Sequence, residues 1–235
     1  MTNRETGTMK LRAGLLAAAF AMVAPAAMAQ QGTLRVGMAA QDMGRLDPHF
    51  AVSTIDRVPM PWMFNGLVRF PPGSIDAAAI EPDLAERWET SADGRTWTFH
   101  LRRGVRFHGN YGELTADDVV FSLRKAANAQ TSAFSADLRA IETVEAVDPY
   151  TVRIVLKENV PNLLGILTNY AGGFIVSRRA VEERGDGFNR APIGTGPFAL
   201  ERVTPNQSAE FVANPAYFRG APQIARVSYR FIPSD

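Results

Sequence analysis

Short runs in which apolar and polar residues alternate, each closed by turn formers, dominate the chain from residue 33 onward. A period of two is what a half-buried strand demands, because successive side chains point to opposite faces. Such runs cover Thr33–Met38, Thr96–Leu101, Ile141–Val147, Tyr150–Leu156, Phe198–Val203, Ala209–Val212 and Arg226–Ile232. Arg87–Thr90 leads through Ala92-Asp93-Gly94 into Thr96, and Asp148-Pro149 leads into Tyr150, so both junctions predict β-hairpins. Trp97, Phe99 and Leu101 supply the buried face of the first hairpin, and Val105 and Phe107 extend its pattern beyond Gly104.

Helical stretches interrupt these strands. Thr115 is placed to cap a helix whose first turn carries Asp117 and Asp118 at the positive end of the dipole. Val119, Val120, Leu123, Ala126 and Ala127 form its apolar stripe. Ile55–Leu67 predicts a further apolar helix, although Pro59 and Pro61 oppose a helix interior. Asn162–Leu167 and Ser177–Glu183 read as short helices, Gly172-Gly173 as a turn and Phe174–Val176 as a strand. Strands and helices mixed in this order predict an α/β, or mixed α+β, fold and exclude a helical bundle or a β-sandwich.

The N-terminus carries Arg4, Lys10 and Arg12, then an apolar run from Leu15 to Ala24, Pro25, and the small residues Ala27-Met28-Ala29. That order is a cleavable secretory signal, with cleavage after Ala29 and Gln30 as the new N-terminus. The mature chain loses Arg4, Lys10, Arg12 and Glu5, which leaves 22 basic and 23 acidic residues. So balanced a charge offers no electrostatic footprint for nucleic acid or for an anionic membrane. Later apolar stretches fall short of the ~18 residues that a spanning helix needs. Cysteine is absent, which removes disulfides, thiolate nucleophiles and cysteine-held metals.

Motifs that suggest chemistry have simpler readings. Gly194-Thr-Gly196 precedes Pro197 and a β-type run, whereas a phosphate loop opens a helix; a close passage of backbone explains the glycines better. His49, His100 and His108 share no metal-binding spacing. His49 is the candidate metal ligand among them, since it follows Asp47-Pro48 in a loop that reads as exposed. No nucleophile and base stand at a recognisable spacing, so no catalytic residue and no cofactor are expected.

Three ordered blocks then carry a resemblance. Glu81-Pro-Asp-Leu-Ala-Glu-Arg-Trp88, Ser91-Ala-Asp-Gly-Arg-Thr-Trp-Thr-Phe-His-Leu-Arg-Arg-Gly-Val-Arg-Phe-His108 and Leu114-Thr-Ala-Asp-Asp-Val-Val-Phe-Ser-Leu123 resemble the family 5 extracellular solute-binding proteins. Pro192–Phe198 and Asn214–Pro222 continue the likeness. The resemblance implies a two-lobed, type II periplasmic receptor that closes over its ligand and delivers it to the inner-membrane permease of an ABC importer. It implies a first lobe over residues 30–235, with 30–55 and 171–235 as its core, 56–170 as the family's extra subdomain, and the second lobe absent. Ligands of such receptors are peptides, opines, sugars or nickel chelates, and the receptor is expected to act as a monomer.

The resemblance also points to ligand contacts. The loop after the first strand supplies Gln41, Asp42 and Met43; the loop Thr131–Ser135 supplies Phe134, where peptide receptors often hold a hydroxylated aromatic. Gly172 and Gly173 complete the set. A secreted hydrolase or metal-binding protein built on His49 and nearby acids is the alternative, and a chaperone-like or adhesive role for one exported lobe is a third.

Overall fold

A computed structural model describes residues 32–168 and 172–233. The signal segment, including Ala29 and Gln30, lies outside the described residues. Chain order is β1 (Thr33–Ala39), α1 (Thr54–Arg57), α2 (Met60–Met63), β2 (Val68–Arg69), β3 (Glu81–Pro82), β4 (Ala85–Thr90) and β5 (Thr96–Leu101). After these come α3 (Ala116–Ala127), β6 (Ile141–Asp148), β7 (Thr151–Leu156), α4 (Leu163–Ile166), α5 (Arg178–Arg184), β8 (Phe198–Thr204), β9 (Ser208–Ala213) and β10 (Arg226–Ile232).

Two four-stranded sheets organise these elements, one ordered β1-β10-β9-β8 and the other β4-β5-β7-β6. The first brings the two ends of the described chain together: β1 runs parallel to β10 with Thr33 opposite Arg226 and Ala39 opposite Ile232. Its other pairings, β10 with β9 and β9 with β8, are antiparallel. The second sheet is antiparallel throughout and lies within the chain that separates β1 from β8. A mixed α/β architecture is therefore present, as the alternation of patterns predicted.

One continuous apolar cluster joins both sheets. Phe99, Val152 and Ile154 enter it from the second sheet, and Phe211, Val227 and Tyr229 from the first. Trp62 lies edge-on to both Phe211 and Tyr229, with ring centroids 5.4 and 5.7 Å apart. T-shaped pairs of this kind add about 1 kcal/mol beyond the area they bury. Helix α3 packs on β6 and β7 and begins with a capping box, in which Thr115 and Asp118 exchange side-chain and backbone bonds.

The secondary structure departs from the expected pattern in three segments. Ile55–Leu67 is not one helix but the two single turns α1 and α2. Pro59 takes the N-cap of α2 and Pro61 sits in its first turn, where a missing N–H is no loss. Phe174–Val176 forms no ladder; one bridge joins Phe174 to Gly66, and the Ile175 N–H donates to the Asn65 carbonyl. Beyond Gly104 the hairpin pattern survives only as a bridge between Arg106 and Glu113.

The Gly194 and Gly196 segment does run against backbone. A Cβ at Gly194 would lie 2.1 Å from the Met63 carbonyl oxygen, and one at Gly196 would lie 2.4 Å from that of Trp62. The Gly196 N–H donates to the Met63 carbonyl at 2.9 Å. His108 seals this passage from the other side, its backbone N–H on the Gly194 carbonyl and its ring Nε2 2.9 Å from the Gly196 carbonyl.

Candidate functional site

Helix α1 is short, and its capping residues fix it to the loop after β1. Ser53 caps it by accepting from the Asp56 N–H and donates its own hydroxyl to Asp56 Oδ2 at 2.7 Å. The other Asp56 oxygen accepts the Gly44 N–H at 2.7 Å, so one buried carboxylate ties residue 44 to α1. Tyr229 donates to the Ile55 carbonyl nearby, and burial together with the Asp56 charge pushes its phenol up to about 12.

A recess of about 310 Å³ opens beside α1 and α2, with Pro48, Ala51, Arg57, Met60, Phe134 and Phe174 among its walls. Its lining is mostly apolar, and the Arg57 guanidinium stands 6.0 Å above the Phe134 ring. An apolar recess with one cation at its wall suits a small solute that offers an apolar body and an anionic end. A second recess, of about 390 Å³, is lined by Asp42, Met43, Gly44, Leu46, Asn189 and Arg190 among others.

The expected ligand residues divide between these places. Phe134 is half-buried on the first recess, while Asp42 and Met43 line the second and Gln41 is exposed beside them. Gly172 and Gly173 are buried. A Cβ at Gly172 would lie 3.2 Å from Phe134 Cβ and 3.1 Å from Leu138, so this glycine gives the Phe134 loop room to pack. At Gly173 a Cβ would meet the Thr168 carbonyl oxygen at 2.3 Å, a demand of the backbone itself.

His49 is not in an exposed loop; it is fully buried. Its Nε2 lies 3.0 Å from the Phe174 carbonyl and its Nδ1 lies 3.2 Å from the Lys125 ammonium. Lys125 can only donate, so Nδ1 accepts and the ring proton sits on Nε2. Burial, and next the Lys125 cation, lower its pKa from 6.5 to about 4. Both nitrogens are thus engaged, and among the described residues no group of three potential metal-ligating side chains occurs. The other histidines are engaged as well: His100 Nε2 lies 3.0 Å from Glu89, and burial holds the His108 ring below the usual histidine range.

Sequence reasoning missed Arg57 and Lys125. Arg57 follows an acid in a one-turn helix that was expected to be part of a longer one, so its direction was not readable. Lys125 sits at the last turn of α3, where a cation ordinarily serves the helix dipole at the surface. The buried face of α3 is in fact Ala116, Val119, Ser122, Leu123, Lys125 and Ala126, rotated from the stripe that the apolar residues alone suggest.

Known proteins are similar to this chain in sequence and fold. The family described as bacterial extracellular solute-binding proteins, family 5 middle, matches residues 79–235. The di/tripeptide-binding protein 2 of Pseudomonas aeruginosa is 37% identical over 237 residues, which covers 91% of this chain and 43% of that protein. Among solved structures, the binding protein MoaA of A. tumefaciens R10 in complex with mannopinic acid aligns with a TM-score of 0.85 and 51% identity. The alignment covers 86% of this chain and 41% of that one. The periplasmic binding protein DppA of Helicobacter pylori in complex with the peptide STSA aligns with a TM-score of 0.76 and 26% identity, over 86% of this chain and 43% of that one. The chain thus spans less than half the length of these relatives.

Proposed function

The chain belongs to family 5 of the bacterial extracellular solute-binding proteins, and we propose from this premise that it binds a small carboxylated solute for an ABC importer. The ligand lies in the recess between Pro48, Arg57 and Phe134. Arg57 over the Phe134 ring is the observation that carries this reading. A guanidinium beside an apolar wall can pair with a carboxylate through two parallel N–H donors while the ring covers the ligand body.

The likeness at 51% identity to a structure holding mannopinic acid favours an opine-type acid as ligand. A di- or tripeptide is the second reading, supported by the 37% identity to a di/tripeptide-binding protein. Phe134 bears no hydroxyl and has no phenolic donor to offer a peptide backbone, which weighs toward the acid.

In this account the protein binds and releases, without turnover. Residues 1–29 direct export to the periplasm, residues 30–55 and 171–235 form the core of the first lobe, and residues 56–170 form the family-specific subdomain. A second lobe, lying outside residues 30–235, closes over the recess in the longer receptor, excludes water from it, and presents the occupied monomer to the inner-membrane permease. Exclusion of water is what lets a few polar groups, Arg57 foremost, decide the orientation of the ligand.

A thermal-shift comparison tests the assignment. Ligand at a hundredfold excess over Kd stabilises a one-site receptor by about 2.7 kcal/mol. Mannopinic acid should raise the melting temperature of the native protein and fail to do so for Arg57→Gln. A rise of the same size in that variant would remove Arg57 from the site.

A further inference from the structure

Three segments of chain meet at the Lys125 side chain: α3 itself, the loop at 47–50 and the loop at residue 131. Only 7% of it is exposed, and its ammonium donates to Asp47 Oδ2 at 2.7 Å, to His49 Nδ1 at 3.2 Å and to the Thr131 carbonyl at 3.3 Å. An ammonium has three protons, and all three are used. The bonds do not stop there. The His49 N–H donates to Asp47 Oδ1 at 3.0 Å, the Ala133 N–H to the His49 carbonyl at 2.9 Å, and the Thr131 hydroxyl to the Lys125 carbonyl at 2.7 Å. The His49 ring reaches the Phe174 carbonyl, and one turn back on α3 the Ser122 hydroxyl bonds both the N–H and the carbonyl of Val176.

These tied atoms are neighbours of the recess walls. Pro48 stands between Asp47 and His49, Ala51 two residues beyond, and Phe134 directly after Ala133, while Phe174 is itself a partner. A methionine or leucine pair would fill the same space without the loss of hydration that two buried ions suffer. Apolar contacts, however, have no direction, whereas three donated bonds at fixed angles admit one arrangement of the loops. Stability alone therefore gives no reason for charges here, and geometry does.

We propose that Lys125 is the positioning residue of the recess: through Asp47, His49 and Thr131 it locks the loop at 47–51 and the loop at 131–134 into one fixed relation. This rests on the ligand recess described above, although the coupling of the loops can be measured without any ligand. Lys125 touches no bound molecule in this account; it acts through Pro48, Ala51 and Phe134. The separation is what its test exploits.

The experiment uses the intact protein with Lys125→Met, and with Asp47→Leu and Lys125→Met together. Amide hydrogen exchange of the unliganded protein should quicken at least tenfold in both loops at once, while Phe99 and Val152 in the second sheet keep their rates. In the double variant the melting temperature should recover, because no charge is left buried alone, yet the affinity for mannopinic acid should stay at least tenfold below that of the native protein. Affinity that recovers along with the melting temperature would reduce Lys125 to a stabilising residue and overturn the proposal. So would exchange that quickens in one loop only or uniformly across the chain. If the native protein takes no mannopinic acid, the ligand assignment fails, and the exchange result alone decides whether the loops are coupled.

Discussion

Asp47 and Lys125 stand 78 residues apart in sequence and meet at 2.7 Å, with 7% of each side chain exposed. Burial pulls the Lys125 ammonium below its ordinary range, and the Asp47 charge opposes that pull. Asp47→Ala leaves the cation in place without its counter-charge, a change that typically costs about 3–5 kcal/mol. Urea unfolding of the variant at neutral pH should show a loss of this order. A loss below about 1 kcal/mol would mean that water reaches the ammonium and the pair is not sealed.

His49 makes stability depend on pH in a stated direction. Its folded pKa is lowered to about 4 from 6.5, so the unfolded chain takes up a proton that the folded chain refuses. Stability is therefore fully present above about pH 6.5 and declines as pH falls toward 4, by up to about 3 kcal/mol from this residue. Urea midpoints measured at several pH values across that window should fall more steeply for the native protein than for His49→Gln. Equal slopes would contradict a neutral, buried ring.

Two glycines separate backbone crowding from backbone strain. Gly194→Ala drives a methyl against the Met63 carbonyl, and no side chain can move aside to relieve it. Gly104 has φ +73 with nothing within 4 Å, so alanine there meets only the left-handed penalty. Unfolding should show a loss of about 3 kcal/mol or more at Gly194 and about 1 kcal/mol at Gly104. The reverse order would place the Gly194 segment away from residues 62–65.

The same positions show what could be read in advance. The β10 run ends at the residues that its pattern predicts, and Thr115 caps α3 as expected, because period and capping are local properties. Gly194 and Gly196 were readable as a close passage, since Pro197 denied them a helix. His49, by contrast, reads as a surface residue, because a polar residue after Asp47-Pro48 carries no local sign of burial; its neighbours come from residues 125, 133 and 174. Arg57 escaped for a related reason: the chain turns at Pro59, and nothing in the apolar run announces which way residue 57 then faces.

Arg219 reaches the buried Asp83 carboxylate at 3.2 Å, beside the Asn65 side-chain amide and the Gly66 N–H. Burial pushes the Asp83 carboxyl above its ordinary range, and the Asn65 bond and the Arg219 charge restrain that rise. Arg219→Met strips the carboxylate of its charged partner and should destabilise by about 3 kcal/mol at neutral pH. The loss should shrink as pH falls, because a protonated Asp83 no longer needs the cation. A loss that grew on acidification would rule out this account of the pair.

Titration calorimetry of the purified protein, as its gene encodes it, with mannopinic acid and with a dipeptide in parallel decides whether the recess takes the acid. Saturable 1:1 binding of the acid is expected, tighter than that of the dipeptide, with the acid recovered unchanged and with affinity lost in Arg57→Gln. Absence of saturable heat for both ligands, or chemical conversion of the acid during the titration, would contradict binding without turnover.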